Sequence, residues 1–197
     1  ISNVVGSNIF NILFIIGICA LVGTMKVDPK LIRKDMPFLV IVSILLTVIV
    51  YLTWQISRIS ALIFLIFIVA YVTYLVYDAK KSPASKVVEK PKYSLPISLI
   101  IAIISLAGII IGAQLVVDSS RYIALSFGMS ETLVGLTIVS IGTSLPELVT
   151  SLTAIKKGEN NIAIGNIVGS NLFNILFILG LSGIIHPIAV GHNMIID

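Results

Sequence analysis

Ionised side chains are scarce in this 197-residue chain, with Asp, Glu, Lys and Arg together making up only 11%, where a globular domain carries about 25%. That scarcity excludes a soluble enzyme and a solvated disordered chain. The single cysteine, Cys19, excludes a disulfide scaffold, because it has no partner within the chain. Only two histidines, His186 and His192, are present, both near the end of the chain, a weak signal for a metal. The formal charge of +4 is not the footprint of a nucleic-acid binder, since the basic residues sit in short loops. The polar/apolar alternation of a β-barrel strand is missing as well. Apolar runs are abundant: hydrophobic residues reach 57% and the mean hydropathy is +1.12. Six stretches, Ile1–Gly23, Met36–Trp54, Ile59–Tyr77, Ser94–Val117, Thr132–Ile155 and Ile162–Ile185, contain a single Asp, Glu, Lys or Arg, namely Glu147. Each is long enough to cross a hydrocarbon layer of about 30 Å. The fold class expected is all-α, a polytopic transmembrane helix bundle.

Eleven of the thirteen Lys and Arg residues lie in the loops after the first, third and fifth stretches; only Arg58 and Arg121 lie on the other side. The positive-inside rule then places the odd loops in the cytoplasm and Ile1 outside. Residues 78–93, with Pro83, Pro91 and five lysines, read as a basic cytoplasmic linker between two halves. The linker is a topological anchor and a candidate for attracting anionic lipid. The chain does not begin with Met, and residue 1 already heads an apolar stretch, so a piece of a longer protein is expected.

An internal repeat explains the halves. Asn3–Gly17 recurs as Asn166–Gly180 at an offset of 163 residues, with twelve of fifteen positions identical, including Gly, Ser and three Asn in register. The copies fall in the first and sixth stretches, an odd number of steps apart, so they cross the membrane in opposite directions. Inverted repeats of this kind typify secondary transporters, with the site near the midplane between the halves. The repeat unit has five spans. Residues 1–77 then hold the third to fifth helices of one unit, and residues 94–197 hold the sixth to eighth and the start of the ninth, out of ten expected.

Chemistry concentrates around Glu147. Ser140, Thr143, Ser144 and Glu147 follow an i, i+3, i+4, i+7 spacing that puts hydroxyls and a carboxylate on one helical face. Pro146 lacks an N–H, which frees the carbonyl of Gly142. Free carbonyls at membrane depth are tolerated where they line a cavity or are buried in protein. These are hard oxygen donors suited to Na⁺ and Ca²⁺. A charged carboxylate inside a bilayer costs several kcal/mol unless paired; no Lys or Arg is available in the spans, so a bound cation is the natural partner. The alternative is a protonated Glu bonded to a neighbouring helix. Asn3, Ser7 and Asn11, and their copies Asn166, Ser170 and Asn174, lie at i, i+4, i+8. Each stripe is able to present oxygens to a site, or to glue helices together through Gly6, Ser7, Gly169 and Ser170. Gly108 and Gly112 read as a packing face.

Gly142-Thr-Ser-Leu-Pro-Glu147 and Gly165–Asn174 resemble the second α-repeat of the sodium/calcium exchanger family, part of the calcium:cation antiporter superfamily, and Asn3–Asn11 resembles the end of its first. The short linker is most similar to prokaryotic members, implying an integral protein of a prokaryotic plasma (inner) membrane. The resemblance implies no enzyme activity and no cofactor, Ca²⁺ and Na⁺ as transported ions, and ten helices around a diamond of four sites. It assigns Thr143, Ser144 and Glu147, with the Ser140 carbonyl, to ion ligation from one helix, Ser170 and Asn174 from the next, and Ser7 and Asn11 from the third family helix. The partner Glu would fall about 21 residues before Ile1. Asn174 stands where some members carry Asp, so a complete site would hold two carboxylates, matching one Ca²⁺. The function implied is Na⁺/Ca²⁺ antiport by alternating access. Ca²⁺/H⁺ or K⁺-dependent exchange on the same scaffold is the nearest rival, and a cation channel a remote one.

Overall fold

The computed structural model describes residues 1–81, 93–130, 134, 137, 138 and 140–190. Helix α1 is one rod made of Ser2–Phe10, a π-helical turn Asn11–Ile15, and Ile16–Val22. Helix α2 starts where the Asp28 carboxylate accepts the Lys30 N–H at 2.8 Å, with Pro29 beside it. This is an N-cap followed by a proline whose missing N–H costs nothing there. A π turn, Leu31–Asp35, leads into Met36–Thr53, and Trp54 ends the helix in the left-handed region (φ 52°). Ser57 caps α3, Arg58–Lys81, by accepting the Ser60 N–H.

The second half holds α4 (Leu95–Ser126), the short turn α5 (Ser140–Gly142), α6 (Leu145–Lys156) and the rod α7. Helix α7 comprises Asn160–Phe173, a second π turn Asn174–Ile178, and Leu179–Ile185. Gly128 and Gly158, at φ of +83° and +77°, close α4 and α6. In each case the N–H after the glycine reaches back five residues (Met129 to Ala124, Glu159 to Ala154). A residue with a Cβ adopts that left-handed conformation only at a cost.

Five helical segments among the described residues are long and apolar enough to cross a membrane. The fifth expected stretch, Thr132–Ile155, differs: its first part lies largely outside the described residues, and the rest is broken into α5 and α6. The linker differs too. Residues 78–81 continue α3, and 82–92 lie outside the described residues. A two-residue antiparallel pair, β1 (Gln55–Ile56) with β2 (Ile188–Ala189), joins the α2–α3 turn to the chain after α7.

Helix α7 is the hub. On one side it packs against α2 and α3 around Val42, Ile56, Phe64, Leu172 and Leu176. On the other, Ala163 and Ile167 meet Ile15 and Cys19 of α1 and Ala154 and Ile155 of α6; Cys19 is a packed thiol. Gly180 and Gly183 allow close approach to α3: a Cβ on Gly180 would lie 3.2 Å from the Ala61 carbonyl, and one on Gly183 would lie 2.8 Å from the Ala61 Cβ. By contrast, only Ala124 of α4 is buried. At Gly108 and Gly112, the expected packing face, no element among the described residues approaches closely. A Cβ at either meets nothing within 4 Å; the two line a groove of about 360 Å³ facing Leu145 and Val149. The close contact of α4 is instead at Val117, on which Gly142 of α5 rests.

Candidate ion site

The repeat is written into the hydrogen bonds. Asn8 donates its side-chain N–H to the Asn171 carbonyl at 3.2 Å, and Asn171 donates to the Asn8 carbonyl at 3.3 Å. Asn11 donates to Asn171 Oδ1 at 2.9 Å, and its copy Asn174 donates to Asn8 Oδ1 at 3.0 Å. Each bond is matched by its counterpart 163 residues away, as a two-fold axis between Asn8 and Asn171 requires. The symmetry extends to the π turns, both of sequence Asn-Ile-Leu-Phe-Ile, and to the stacked pairs Phe10–Phe14 and Phe173–Phe177, at 4.6 and 4.5 Å. Each π turn begins at an expected site residue, Asn11 or Asn174; π turns inside helices concentrate at functional positions.

Sequence reasoning missed Asn8 and Asn171. The available signal was their recurrence in register. Their amides satisfy each other inside the protein, the condition for burying polar groups there. Asn171→Ala removes one buried partner from several bonds at once. It is expected to destabilise the protein by about 2 kcal/mol, read as a fall in melting temperature in detergent, with Asn171→Asp recovering part of the loss.

The second site element is the gap between α5 and α6. The four-residue pattern from Ser140 to Glu147 does not form one continuous helical face: the helix breaks at Thr143–Ser144. There the Ser144 N–H bonds only three residues back, to Ile141, and Leu145 starts a new helix with Pro146 in its first turn. Proline begins this helix rather than kinking an existing one, because the first turn needs no N–H donor from it. Glu147 therefore lies in the first turn of α6, where the positive end of the helix dipole favours a carboxylate.

The broken segment meets α1 and α7. Ser7 Oγ lies 2.9 Å from Thr143 Oγ1. Asn11 Nδ2 donates to Ser170 Oγ at 3.3 Å, and Ser170 donates to the Ile167 carbonyl. Asn166 is used differently from the stripe reading. Its amide donates to the Glu147 backbone carbonyl (3.3 Å) and to Ser151 Oγ (3.1 Å), and Ser151 donates to the Ala163 carbonyl. Asn166 thus braces α6 on α7 behind Glu147, while Asn3 is exposed. The Ser140 backbone belongs to α5; its side chain lies outside the described residues.

Three buried side-chain oxygens have no hydrogen-bond partner among the described residues and bear on this site: Glu147 Oε2, Ser144 Oγ and Asn11 Oδ1. Orphaned buried oxygens are costly, and all three are hard donors. At Asn11 the side-chain N–H groups hold the helices while the Oδ1 stays unbonded among the described residues. No cluster of three His, Cys, Asp or Glu occurs among the described residues. Among the described residues the donor set is thus one carboxylate with neutral oxygens.

The family model for the sodium/calcium exchanger protein matches residues 1–77 and 97–197. The chain belongs to the sodium/calcium exchanger family. It is 35% identical over 196 residues to the inner membrane protein YrbG of Escherichia coli (strain K12), covering 95% of this chain and 60% of that protein. It is 39% identical over 194 residues to the putative antiporter CaxA of Alkalimonas amylolytica, again covering 95% and 60%. Over 88 residues, 45% of this chain and 25% of that protein, it is 47% identical to the sodium/calcium exchanger MaX1 of Methanosarcina acetivorans. Among solved structures, the sodium-calcium exchanger NCX_Mj soaked without Na⁺ and Ca²⁺ superposes with a TM-score of 0.79 at 29% identity, covering 98% of this chain and 62% of that one. The chain spans about three-fifths of the length of YrbG, CaxA and NCX_Mj. It is a polytopic helical membrane protein of the family expected from its motifs.

Proposed function

We propose that the protein carrying this chain is a secondary antiporter that exchanges Ca²⁺ for Na⁺ across the membrane by alternating access. The reading is carried by the three orphaned oxygens of Glu147, Ser144 and Asn11, two on the broken helix and one on α1, elements that Ser7 and Thr143 join at 2.9 Å. Ca²⁺ and Na⁺ would compete for these oxygens and so occupy alternate half-cycles. Glu147, Thr143, Ser144, Ser170, Asn174, Ser7 and Asn11, with the Ser140 carbonyl, are the proposed ligands. Coupling to H⁺ on the same scaffold is the second reading, because the buried, unbonded Glu147 Oε2 is able to carry a proton in place of a cation.

Proteoliposomes of the full-length protein separate the two. With Na⁺ inside and Na⁺-free buffer outside, radioactive Ca²⁺ should accumulate; accumulation driven by a pH gradient alone, and indifferent to Na⁺, would move the coupling ion to H⁺. Linear conductance without counter-transport would overturn antiport altogether.

For the gate we propose sliding of α4, which is scarcely buried along its length. Gly112→Leu has room in the groove beside Leu145 and Val149. Its stability should change by no more than about 0.5 kcal/mol. Flux should nevertheless fall several-fold at unchanged Ca²⁺ affinity, and unaltered flux would sink the sliding gate.

A further inference from the structure

Helices α2 and α3 separate at the end where the charged residues lie, and leave a groove of about 480 Å³. Its walls are Phe38 on α2 and Phe67, Ala70 and Tyr71 on α3, with Phe38 stacked on Tyr71 at 5.0 Å. At its mouth stand Lys34, Asp35 and Tyr74, which also line a second cavity of about 190 Å³ that adds Asp28, Lys30 and Asp78. From Tyr74 to Phe67 the groove follows α3 for seven residues, about 10 Å of helix. One end is thus at the level of the ionised side chains and the other within the apolar layer.

We propose that this groove binds one bilayer phospholipid whose headgroup carries a primary ammonium, a phosphatidylethanolamine. A hydrocarbon chain fits the aromatic floor. The charges at the mouth select the headgroup. Lys30 and Lys34 hold Asp78 at 3.2 and 3.4 Å, and the Tyr71 hydroxyl donates to Asp35 at 3.0 Å. Both lysine side chains remain about half exposed, at 57% and 48%, and an ammonium carries three N–H donors. Yet among the described residues three carboxylates line these cavities beside two lysines. A headgroup with only negative charge would meet Asp28 and Asp35 unfavourably. A zwitterion with its phosphate on the lysines and its ammonium on Asp35 and Asp28 matches both signs. A quaternary ammonium has no N–H to donate to those carboxylates, so phosphatidylcholine should bind less well.

Native mass spectrometry of the delipidated full-length protein, titrated with synthetic phosphatidylethanolamine, phosphatidylcholine and phosphatidylglycerol, tests the assignment. One phosphatidylethanolamine should bind with roughly tenfold or greater preference over either competitor, the scale of one charge-assisted hydrogen bond. Ala70→Trp, at an exposed wall residue, should fill the groove and remove the bound lipid. Asp35→Asn should bring the ethanolamine and choline lipids to near-equal affinity. Equal binding of all three headgroups, a preference for phosphatidylglycerol, no bound lipid, or binding unchanged in both variants would each overturn it. Lipid is read directly, so the result is independent of which ion is transported.

Discussion

Glu147→Gln is expected to abolish Ca²⁺ transport in proteoliposomes while leaving the protein folded. The substitution keeps the shape of the side chain and the backbone carbonyl that Asn166 braces. What it removes is one full negative charge in the first turn of α6. Two unit charges 4 Å apart interact by about 4 kcal/mol at an effective dielectric of 20, and Ca²⁺ carries two. A loss of at least 100-fold in Ca²⁺ affinity, about 2.7 kcal/mol, is therefore the minimum expected. Na⁺ affinity should fall by less, because its charge is half as large. Isothermal titration with each ion, beside radioactive uptake, checks both parts. Retention of more than about a tenth of wild-type uptake would place the ion elsewhere.

The second large effect is expected at Gly142. A Cβ added there overlaps Val117 Cγ2 of α4 and lies 3.2 Å from the Val117 Cβ. Overpacking of this kind costs about 1–3 kcal/mol in a closed core. Here the obstacle sits on a helix that buries only Ala124 within this chain, so the strain should displace α4 rather than unfold the protein. Gly142→Ala should thus lower flux roughly tenfold or more with little change in melting temperature, and Val117→Ala in the same chain should restore most of the flux. A double variant as defective as Gly142→Ala alone would show that the contact is not the cause.

Much of this was legible in the residues. Gly, Ser and Asn recur in register inside otherwise apolar helices, so the repeat and its inversion could be read without a structure, and so could the isolated carboxylate beside a proline. Other features were hidden for physical reasons. Asn8 sits roughly 100° around the helix from Ser7, outside the stripe that Asn3, Ser7 and Asn11 define. In a helix apolar on every side, periodicity does not say which face is buried. The break at Thr143–Ser144 was read as a freed carbonyl within one helix, because proline both kinks helices and starts them, and only the backbone path distinguishes the two. The glycines of α4 suggested close packing, yet small residues also line grooves; the close approach occurs through Gly142 on the neighbouring element. The π turns arise from one extra residue in a helical turn, which no local preference in Asn-Ile-Leu-Phe-Ile announces.

The length of α4 has a mechanical consequence. Its 32 residues make a rod of about 48 Å, of which the apolar stretch Ser94–Val117 spans about 36 Å, still longer than a hydrocarbon layer of about 30 Å. A helix too long for its membrane tilts or thickens the bilayer around it, at a fraction of a kcal/mol for each ångström of mismatch. Packed neighbours share that burden, and within this chain α4 buries only Ala124 against any. Bilayer thickness then acts as a load on the element proposed to gate. A thinner membrane leans the rod further over, and a thicker one stands it up, so the same sequence would run at different rates in different lipids without any change at the ion site.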